Sequence, residues 1–145
     1  MSNIEFESSA VQSYLGNLQS VINRMAANSA SSKTWCITLV SAVVVFASDK
    51  SKPDSVWMAL IPIGLFFLLD AYYLNFEIQF RALYNEFVGK LHLGTAKLED
   101  IYVMTPSMRD KSLWLSTAKA AASFSVWPFY SLVTVMLVIL RSWIF

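Results

Sequence analysis

The feature that most constrains this chain is an uncharged, mostly apolar run of 21 residues at positions 120–140. Two shorter apolar runs precede it, at positions 34–48 and 55–69. About 20 apolar residues cross the hydrocarbon core of a bilayer as a helix, so the last run is long enough alone and the first two need their flanking residues. The sequence therefore predicts an all-α integral membrane protein with three transmembrane helices.

The composition agrees with that prediction and limits what else the chain can do. Of its 145 residues, 56% are hydrophobic and 14% are charged, a balance that departs from soluble proteins in the direction of membrane proteins. Three spans leave no room for a large soluble catalytic domain, and the sequence has no Ser/His/Asp set, metal-ligand spacing or glycine-rich phosphate loop. We therefore expect neither an enzyme nor a bound metal or cofactor.

A secretory signal peptide is the alternative interpretation of the first apolar run. The tripeptide Val45-Phe46-Ala47, followed by Ser48, resembles a cleavage site. The segment before the run would be 33 residues long with two basic residues, which is unlike the short basic start of a signal peptide. We therefore favour a span that is led in by the small polar residues at positions 28–32.

The positive charges near the span ends predict the orientation. Eight Lys and Arg residues lie on the N-terminal side of the predicted membrane and three lie on the opposite side. The N-terminus is therefore predicted to be cytoplasmic and the C-terminus to lie outside. The predicted segments are a cytoplasmic amphipathic helix at 1–30, a first span at 31–48, an outer hinge at 49–54, a second span at 55–76, a cytoplasmic helical extension and loop at 77–119, and a third span at 120–145.

Two stripes of apolar residues at helical spacing predict how the cytoplasmic parts fold. The first stripe contains Val11, Leu15, Leu18, Ile22 and Met25. The second stripe contains Phe76, Phe80, Leu83, Phe87 and Leu91. We expect the two stripes to pack on each other, within one subunit or between subunits. An N-terminal helix that lies on the bilayer surface is less favoured, because its polar face has Arg24 alone where such helices are usually rich in cations.

Charged residues at the end of the second span are candidates for a functional site. Asp70 interrupts the apolar run, and Glu77 and Arg81 follow near the same helical face as an i, i+4 pair. An ionisable residue near the hydrocarbon boundary usually faces a bundle interior, a partner or water. Asp70 is thus either a functional residue or a boundary residue at the level of the headgroups, beside Tyr72 and Tyr73.

Residues 69–84 also carry a resemblance to a known family. They combine, in order, Asp70, the triplet Tyr72-Tyr73-Leu74, Glu77, Phe80-Arg81 and Leu83-Tyr84. This pattern resembles the SLATT group of small membrane effectors, which have short N-terminal helices, a helical hairpin of spans and a helical cytoplasmic extension. The resemblance implies an oligomeric channel or membrane-disrupting effector of a bacterial antiphage system, in the bacterial inner membrane. Such effectors are usually encoded beside a nucleotidyltransferase that makes a nucleotide or oligonucleotide signal. The predicted third span departs from this two-span pattern.

The sequence predicts two sets of site residues. The structural or gating set is Asp70, Tyr73, Glu77, Arg81 and Pro128. Within it, Pro128 is expected to kink the third span. The candidate ligand-binding set is Arg81, Tyr84, Lys90, His92, Lys97, Arg109 and Lys111. Such cations bind phosphates, but the positive-inside rule and anionic headgroups account for them without a ligand.

Two functions from different classes fit these observations. The first is an oligomeric pore or ion channel, gated through its cytoplasmic helices, whose opening depolarises the inner membrane and arrests growth. Three helices cannot enclose a water-filled path, so this function requires a ring of subunits, most simply a cyclic homo-oligomer. If the third span lines the pore, its aliphatic outer half would form a hydrophobic constriction. The second is a non-conducting membrane partner, such as a toxin-immunity or complex-anchoring subunit.

Overall fold

The computed structural model describes residues 8–47, 53–105 and 113–144, and every regular element in those ranges is helical. Helices make up 87% of it, and none of the described residues forms a strand. The four α-helices are α1 at Ser9–Ala47, α2 at Leu60–His92, α3 at Leu113–Ala121 and α4 at Trp127–Ile144. Two short 3₁₀ segments lie at Pro53–Ala59 and Leu98–Asp100.

Helix α1 joins the predicted amphipathic helix and the predicted first span into one element. It has 39 residues, which corresponds to a length of about 58 Å. The chain from 26 to 32 contains only Ala, Asn and Ser, and it has no Pro or Gly that would end the helix. The change from a polar to an apolar surface therefore occurs along a continuous helix.

Helix α2 runs antiparallel to α1 and forms the largest helix interface in the described structure. Tyr14 contacts Phe87, and Ser29 contacts Asp70, which fixes the register of the pair at two levels. Helix α2 has 33 residues and follows the 3₁₀ segment directly. Pro62 lies in its first turn, where the N–H that proline lacks has no intrahelical partner.

The ends of α1 and α2 that lie away from the hairpin form a compact apolar cluster. We call residues 9–28 of α1 with residues 76–92 of α2 the stalk. Its buried centre consists of Val11, Tyr14, Leu15, Leu18 and Phe87. Phe80, Leu83 and Leu91 of the second predicted stripe pack against that centre. The predicted packing of the two stripes is therefore confirmed within one subunit, and the first stripe faces α2.

The other ends of the same helices pack with α4 around a second cluster. We call residues 29–47, residues 53–75 and α4 with the preceding Val126 the span half. Its buried centre includes Cys36, Val40, Val56, Ile63, Val126, Tyr130 and Leu137. The Tyr130 hydroxyl donates a hydrogen bond to the Phe66 carbonyl at 3.0 Å, which ties α4 to α2.

The uncharged run at 120–140 does not form one helix. Helix α3 ends at Ala121 and α4 begins at Trp127, so residues 122–126 interrupt the run. The kink expected at Pro128 is not observed, because Pro128 is the second residue of α4. A proline in the first turn removes no helical hydrogen bond and therefore causes no kink.

Two helical segments are long and apolar enough to cross a membrane, by length and composition. They are Ser9–Ala47 and Asp54–His92, with mean hydropathies of 1.5 and 1.7 in their most apolar windows. Core helices of soluble proteins can pass the same test, but such helices are mostly buried. Here 22% and 28% of the two windows are buried. The shorter apolar helix at Trp127–Trp143 does not reach the same length.

Candidate functional site

A buried polar cluster joins α1 to α2 where the stalk meets the span half. Asp70 is fully buried on α2. Ser29 Oγ donates a hydrogen bond to Asp70 Oδ1 at 2.5 Å, and Lys33 Nζ lies 2.5 Å from Asp70 Oδ2. Ser29 and Lys33 are one helical turn apart on α1, and Lys33 Nζ is 3.4 Å from Ser29 Oγ. We refer to these three residues as the Asp70 cluster.

The cluster shows that Asp70 faces the neighbouring helix, and its functional role stays a prediction. Asp70 has no exposed surface, and its carboxylate contacts Ser29 and Lys33 of α1. An ionised carboxylate is stable in such a place only when it is paired and hydrogen-bonded. The Lys33 side chain is 23% exposed, so its charge lies between the buried carboxylate and the surface. The Asp70 cluster therefore links the two long helices by charge as well as by packing.

The sequence identified Asp70 but not its partners. Ser29 and Lys33 were assigned only to the lead-in of the first span and to the positive charges that set orientation. Their i, i+4 spacing places both side chains on one face of a helix, which is the signal that they share a partner. Choosing Asp70 as that partner requires the antiparallel register of α1 and α2.

A second polar contact lies one turn further along α2. Asn75 is buried, and its Nδ2 donates hydrogen bonds to Ser116 Oγ and Thr117 Oγ1, both at 3.1 Å. These two hydroxyls belong to α3, so Asn75 fixes α3 against α2. Sequence patterns do not indicate this role, because a lone Asn between apolar residues carries no motif.

Three further predicted gating residues, Tyr73, Glu77 and Arg81, lie on α2 outside the Asp70 cluster, whereas Pro128 lies on α4. Arg81 Nε is 2.8 Å from Glu77 Oε1, so the predicted i, i+4 pair is confirmed. The Arg81 side chain is mostly exposed, and exposed pairs of this kind contribute little to stability. The Tyr73 ring contacts the Tyr72 ring at 5.8 Å between centroids.

Residues 93–105, which we call the strap, fold back along the stalk. Lys90 Nζ is 2.9 Å from Asp100 Oδ1 and 3.5 Å from Glu86 Oε1. The Lys97 backbone N–H donates a hydrogen bond to Asp100 Oδ2 at 2.9 Å. The Tyr14 hydroxyl donates to a strap carbonyl, that of Val103, at 2.6 Å. The contacts that hold the strap thus include an ion pair and a tyrosine hydrogen bond, beside the packing of Ala96 and Ile101 on the stalk cluster.

These contacts shift the titration of the groups that make them. The hydrogen bond from Lys90 lowers the pKa of Asp100, and the hydrogen bond with Asp100 raises the pKa of Lys90. Burial raises the pKa of Tyr14, with a smaller contribution from the Asp100 charge. All three pKa shifts favour the forms present at neutral pH, in which Lys90 and Asp100 are charged and Tyr14 is neutral.

The five predicted ligand-binding residues that the structure describes do not form one open cationic site. Arg81 is paired with Glu77, and Tyr84 packs against the apolar stalk cluster. Lys90 forms an ion pair with Asp100. Lys97 contacts Asp100 through its backbone N–H, and its side chain is exposed. His92 lies at the end of α2 and takes part in further interactions. Arg109 and Lys111 lie outside the described residues.

A small cavity of about 130 Å³ lies between the stalk and the strap. Its charged lining consists of Glu86, Asp100 and Lys90. Because Lys90 is already neutralised by two carboxylates, this cavity offers no excess positive charge for a phosphate. Among residues 8–47, 53–105 and 113–144, no group of three or more His, Cys, Asp or Glu residues is arranged to hold a metal ion. The nucleotide site remains a prediction.

The outward face of α1 in the span half carries a row of hydroxyl groups. Ser31, Thr34, Thr38 and Ser41 are all exposed, and we call them the hydroxyl stripe. At 100° per residue they fall within about 80° of the helix circumference. The hydroxyls of Thr34 and Thr38 donate to the carbonyls of Ala30 and Thr34, at 3.4 and 2.9 Å. Their acceptor lone pairs remain available on the helix surface.

The hairpin end has its own polar contact. Arg141 Nη2, near the end of α4, lies 2.9 Å from Asp54 Oδ1, and its guanidinium lies 4.8 Å from the centre of the Trp57 ring. Arg141 therefore closes α4 onto the start of the 3₁₀ segment.

Comparison with protein-family models, with curated proteins and with solved structures found no match to this chain. The fold and site therefore define a class only: an all-helical protein with two long apolar helices able to cross a membrane. The resemblance to the SLATT group stays a prediction that rests on the pattern in residues 69–84.

Proposed function

We propose that this protein is an oligomeric pore or channel of a bacterial inner membrane, with its stalk in the cytoplasm. Opening of the pore would depolarise the membrane and arrest growth. The antiphage setting and a nucleotide signal as the trigger follow from the motif in residues 69–84. The observation that carries the proposal is the hydroxyl stripe on the exposed face of α1.

The stripe divides the exposed surface of α1 into two chemically different sectors. Trp35, Leu39 and Phe46 are exposed on the neighbouring face and suit acyl chains. The hydroxyl stripe suits water or another helix, since lipid offers no partner for its acceptor groups. Val45 follows the stripe on the same face at the hairpin end, where an apolar ring would oppose wetting. In a ring of subunits with the stripes turned inward, the hydroxyl stripe would face water or a neighbouring helix and the apolar sector would face acyl chains.

The route from stalk to pore is a second support for the proposal. Helices α1 and α2 are continuous between the stalk and the span half, so a change in stalk packing moves the spans directly. The Asp70 cluster lies at the junction and holds α1 to α2. Gating would require the two helices to shift as a unit or to exchange the partners of Asp70.

A cysteine accessibility experiment tests the proposal. Purified protein with Cys36→Ala is reconstituted in liposomes, and ion flux is measured before and after a membrane-impermeant cationic thiol reagent. Thr38→Cys should be modified and should lose flux, whereas the matched variant Leu39→Cys on the lipid-facing sector should keep it. A protein that is monomeric and supports no flux would overturn the pore.

A non-conducting membrane partner is the second candidate, and one observation favours it. The strap exposes Leu93, Leu98 and Tyr102 at the stalk end, a surface that another protein would cover. This candidate predicts no liposome flux together with a stable complex through the strap. The flux measurement above therefore separates the two candidates.

A further inference from the structure

Helix α3 has its polarity reversed relative to a helix on a water-soluble protein. The face packed on α2 consists of Ser116, Thr117 and the buried Ala120. The opposite face carries Trp114, which is 85% exposed, and Leu115. In water, the large apolar side chains of a surface helix turn toward the protein and the hydroxyls turn outward. The reversed arrangement is stable where the surroundings are less polar than water.

The exposed apolar surface of α3 continues into the next helix. Phe124, in the turn after α3, is 84% exposed, and Trp127 at the start of α4 is half exposed. Residues 113–127 contain a single charged residue, Lys119, which is exposed at the edge of this surface. Tryptophan with a neighbouring cation and no carboxylate is typical of a segment in the headgroup region of a bilayer.

The hydrogen bonds from Asn75 indicate at which level along α2 the helix α3 lies. Asn75 holds α3 one turn beyond Asp70, where α2 passes from its apolar part into the stalk. In a chain whose α2 and α4 cross a bilayer, this level coincides with the boundary of the hydrocarbon core. The apolar face of α3 is continuous with α4 at that boundary.

We propose that α3 is an interfacial helix whose Trp114 face docks on the phospholipid headgroup region of the leaflet at the stalk side. Its partner is the lipid leaflet, with anionic headgroups meeting Lys119. The proposal rests on the membrane insertion in the proposed function but not on conduction. Through Asn75, the docked helix fixes the height of α2 relative to the bilayer surface.

Tryptophan fluorescence in vesicles tests this docking. A variant that keeps Trp114 has Trp35, Trp57, Trp127 and Trp143 replaced by Phe, and a matched variant keeps only Trp143. Both are reconstituted in phosphatidylcholine and phosphatidylglycerol vesicles whose acyl chains carry bromine either near the headgroup or near the chain end. We expect Trp114 emission to be shifted to the blue and quenched more strongly by the shallow bromine.

The matched variant separates failure of this inference from failure of the proposed function. If Trp143 is quenched while Trp114 emits as in water without quenching, α3 is not docked and insertion still stands. Blue-shifted but unquenched Trp114 emission would assign the face to protein, which also overturns the inference. If neither residue is quenched, membrane insertion fails and both proposals fail with it.

Two further measurements show whether the variants with four Trp→Phe substitutions are correctly folded. Helix content by circular dichroism must match the parent chain, and the quenching difference between the parent chain and Trp114→Phe gives the same quantity without other substitutions. Lys119→Glu should weaken the shallow quenching of Trp114 when phosphatidylglycerol is present. Unchanged quenching in Lys119→Glu would overturn the part assigned to the anionic headgroups.

Discussion

The stalk and the span half are built from the same two helices and both have an apolar buried centre, yet they differ in where their polar residues lie. In the stalk, Val11, Leu18 and Phe87 are buried, and the exposed residues of α1 are mainly Gln, Asn and Ser. In the span half, Ser29, Ser32 and Asp70 are buried, while Trp35 and Phe46 are among the residues most exposed. Neither helix ends between the two regions, so the exposed surface changes from polar to apolar along continuous helices, which is what the proposed membrane insertion requires.

The largest loss of stability is expected from a substitution in the apolar centre of the stalk. Phe87→Ala should lower the free energy of unfolding by about 3–5 kcal/mol, because a buried ring is lost and a cavity remains. Phe46→Ala, at an exposed position of the span half, should change it by less than about 0.5 kcal/mol in detergent. Denaturant titration followed by circular dichroism measures both. Equal losses would mean that Phe46 is covered by protein, and the contrast between the regions would fail.

The Asp70 cluster tests the polar interior of the span half. Asp70→Ala should cost about 3 kcal/mol, at the low end for a broken buried pair, because Lys33 can still reach solvent. The double variant Asp70→Leu with Lys33→Met should regain most of that loss. Glu77→Ala, which breaks the i, i+4 pair with the mostly exposed Arg81, serves as the control and should cost about 0.5 kcal/mol or less. An unchanged stability of the Asp70→Ala variant would show that the cluster does not hold the helices together.

The link between strap and stalk gives a smaller effect. Tyr14→Phe keeps the ring contact with Phe87 but removes the hydrogen bond to the Val103 carbonyl, so it should cost about 0.5–1.5 kcal/mol. Hydrogen exchange should show faster opening of residues 97–103 while α1 and α2 keep their protection. Tyr72→Phe, on an exposed ring, is the matched control. Uniform loss of protection across the stalk would contradict a local role.

The smallest expected effect is a loss of strap protection against hydrogen exchange at acid pH and at alkaline pH. The lowered pKa of Asp100 means that its contribution is present above its ordinary value of 3.8 and is lost as pH falls through the lowered value. The raised pKa of Lys90 means that its contribution is present below 10.5 and is lost as pH rises through the raised value. Protection factors of the strap amides, measured across pH, report both losses.

Lys90→Gln provides the control for that profile. The acid release of the strap should move to higher pH, because the main cause of the lowered Asp100 pKa is gone. The alkaline release should disappear with the ammonium group. An unchanged pH profile in Lys90→Gln would show that the ion pair does not hold the strap.

Much of the fold could be predicted from local patterns. The stripes at positions 11–25 and 76–91 predicted the stalk packing, and the pairing of Glu77 with Arg81 followed from helical spacing alone. The kink predicted at Pro128 is not observed, because the chain already leaves the helix at 122–126 and Pro128 lies in the first turn of α4. The partners of Asp70 and the role of Asn75 depend on residues about 40 positions apart in the chain. Spacing within one helix carries no information about such pairs.

The sequence by itself determined that the chain is helical, that its apolar segments reach membrane length, and where one carboxylate interrupts them. Hydrophobic periodicity and run length are local properties, and each helix expresses them without its neighbours. Only the tertiary structure decided that Lys33 and Ser29 bury Asp70, that the hydroxyl stripe faces outward, and that α3 turns its tryptophan away from the protein. These outcomes depend on which faces meet once α1 and α2 are in register, because burial is a property of packed helices rather than of one segment.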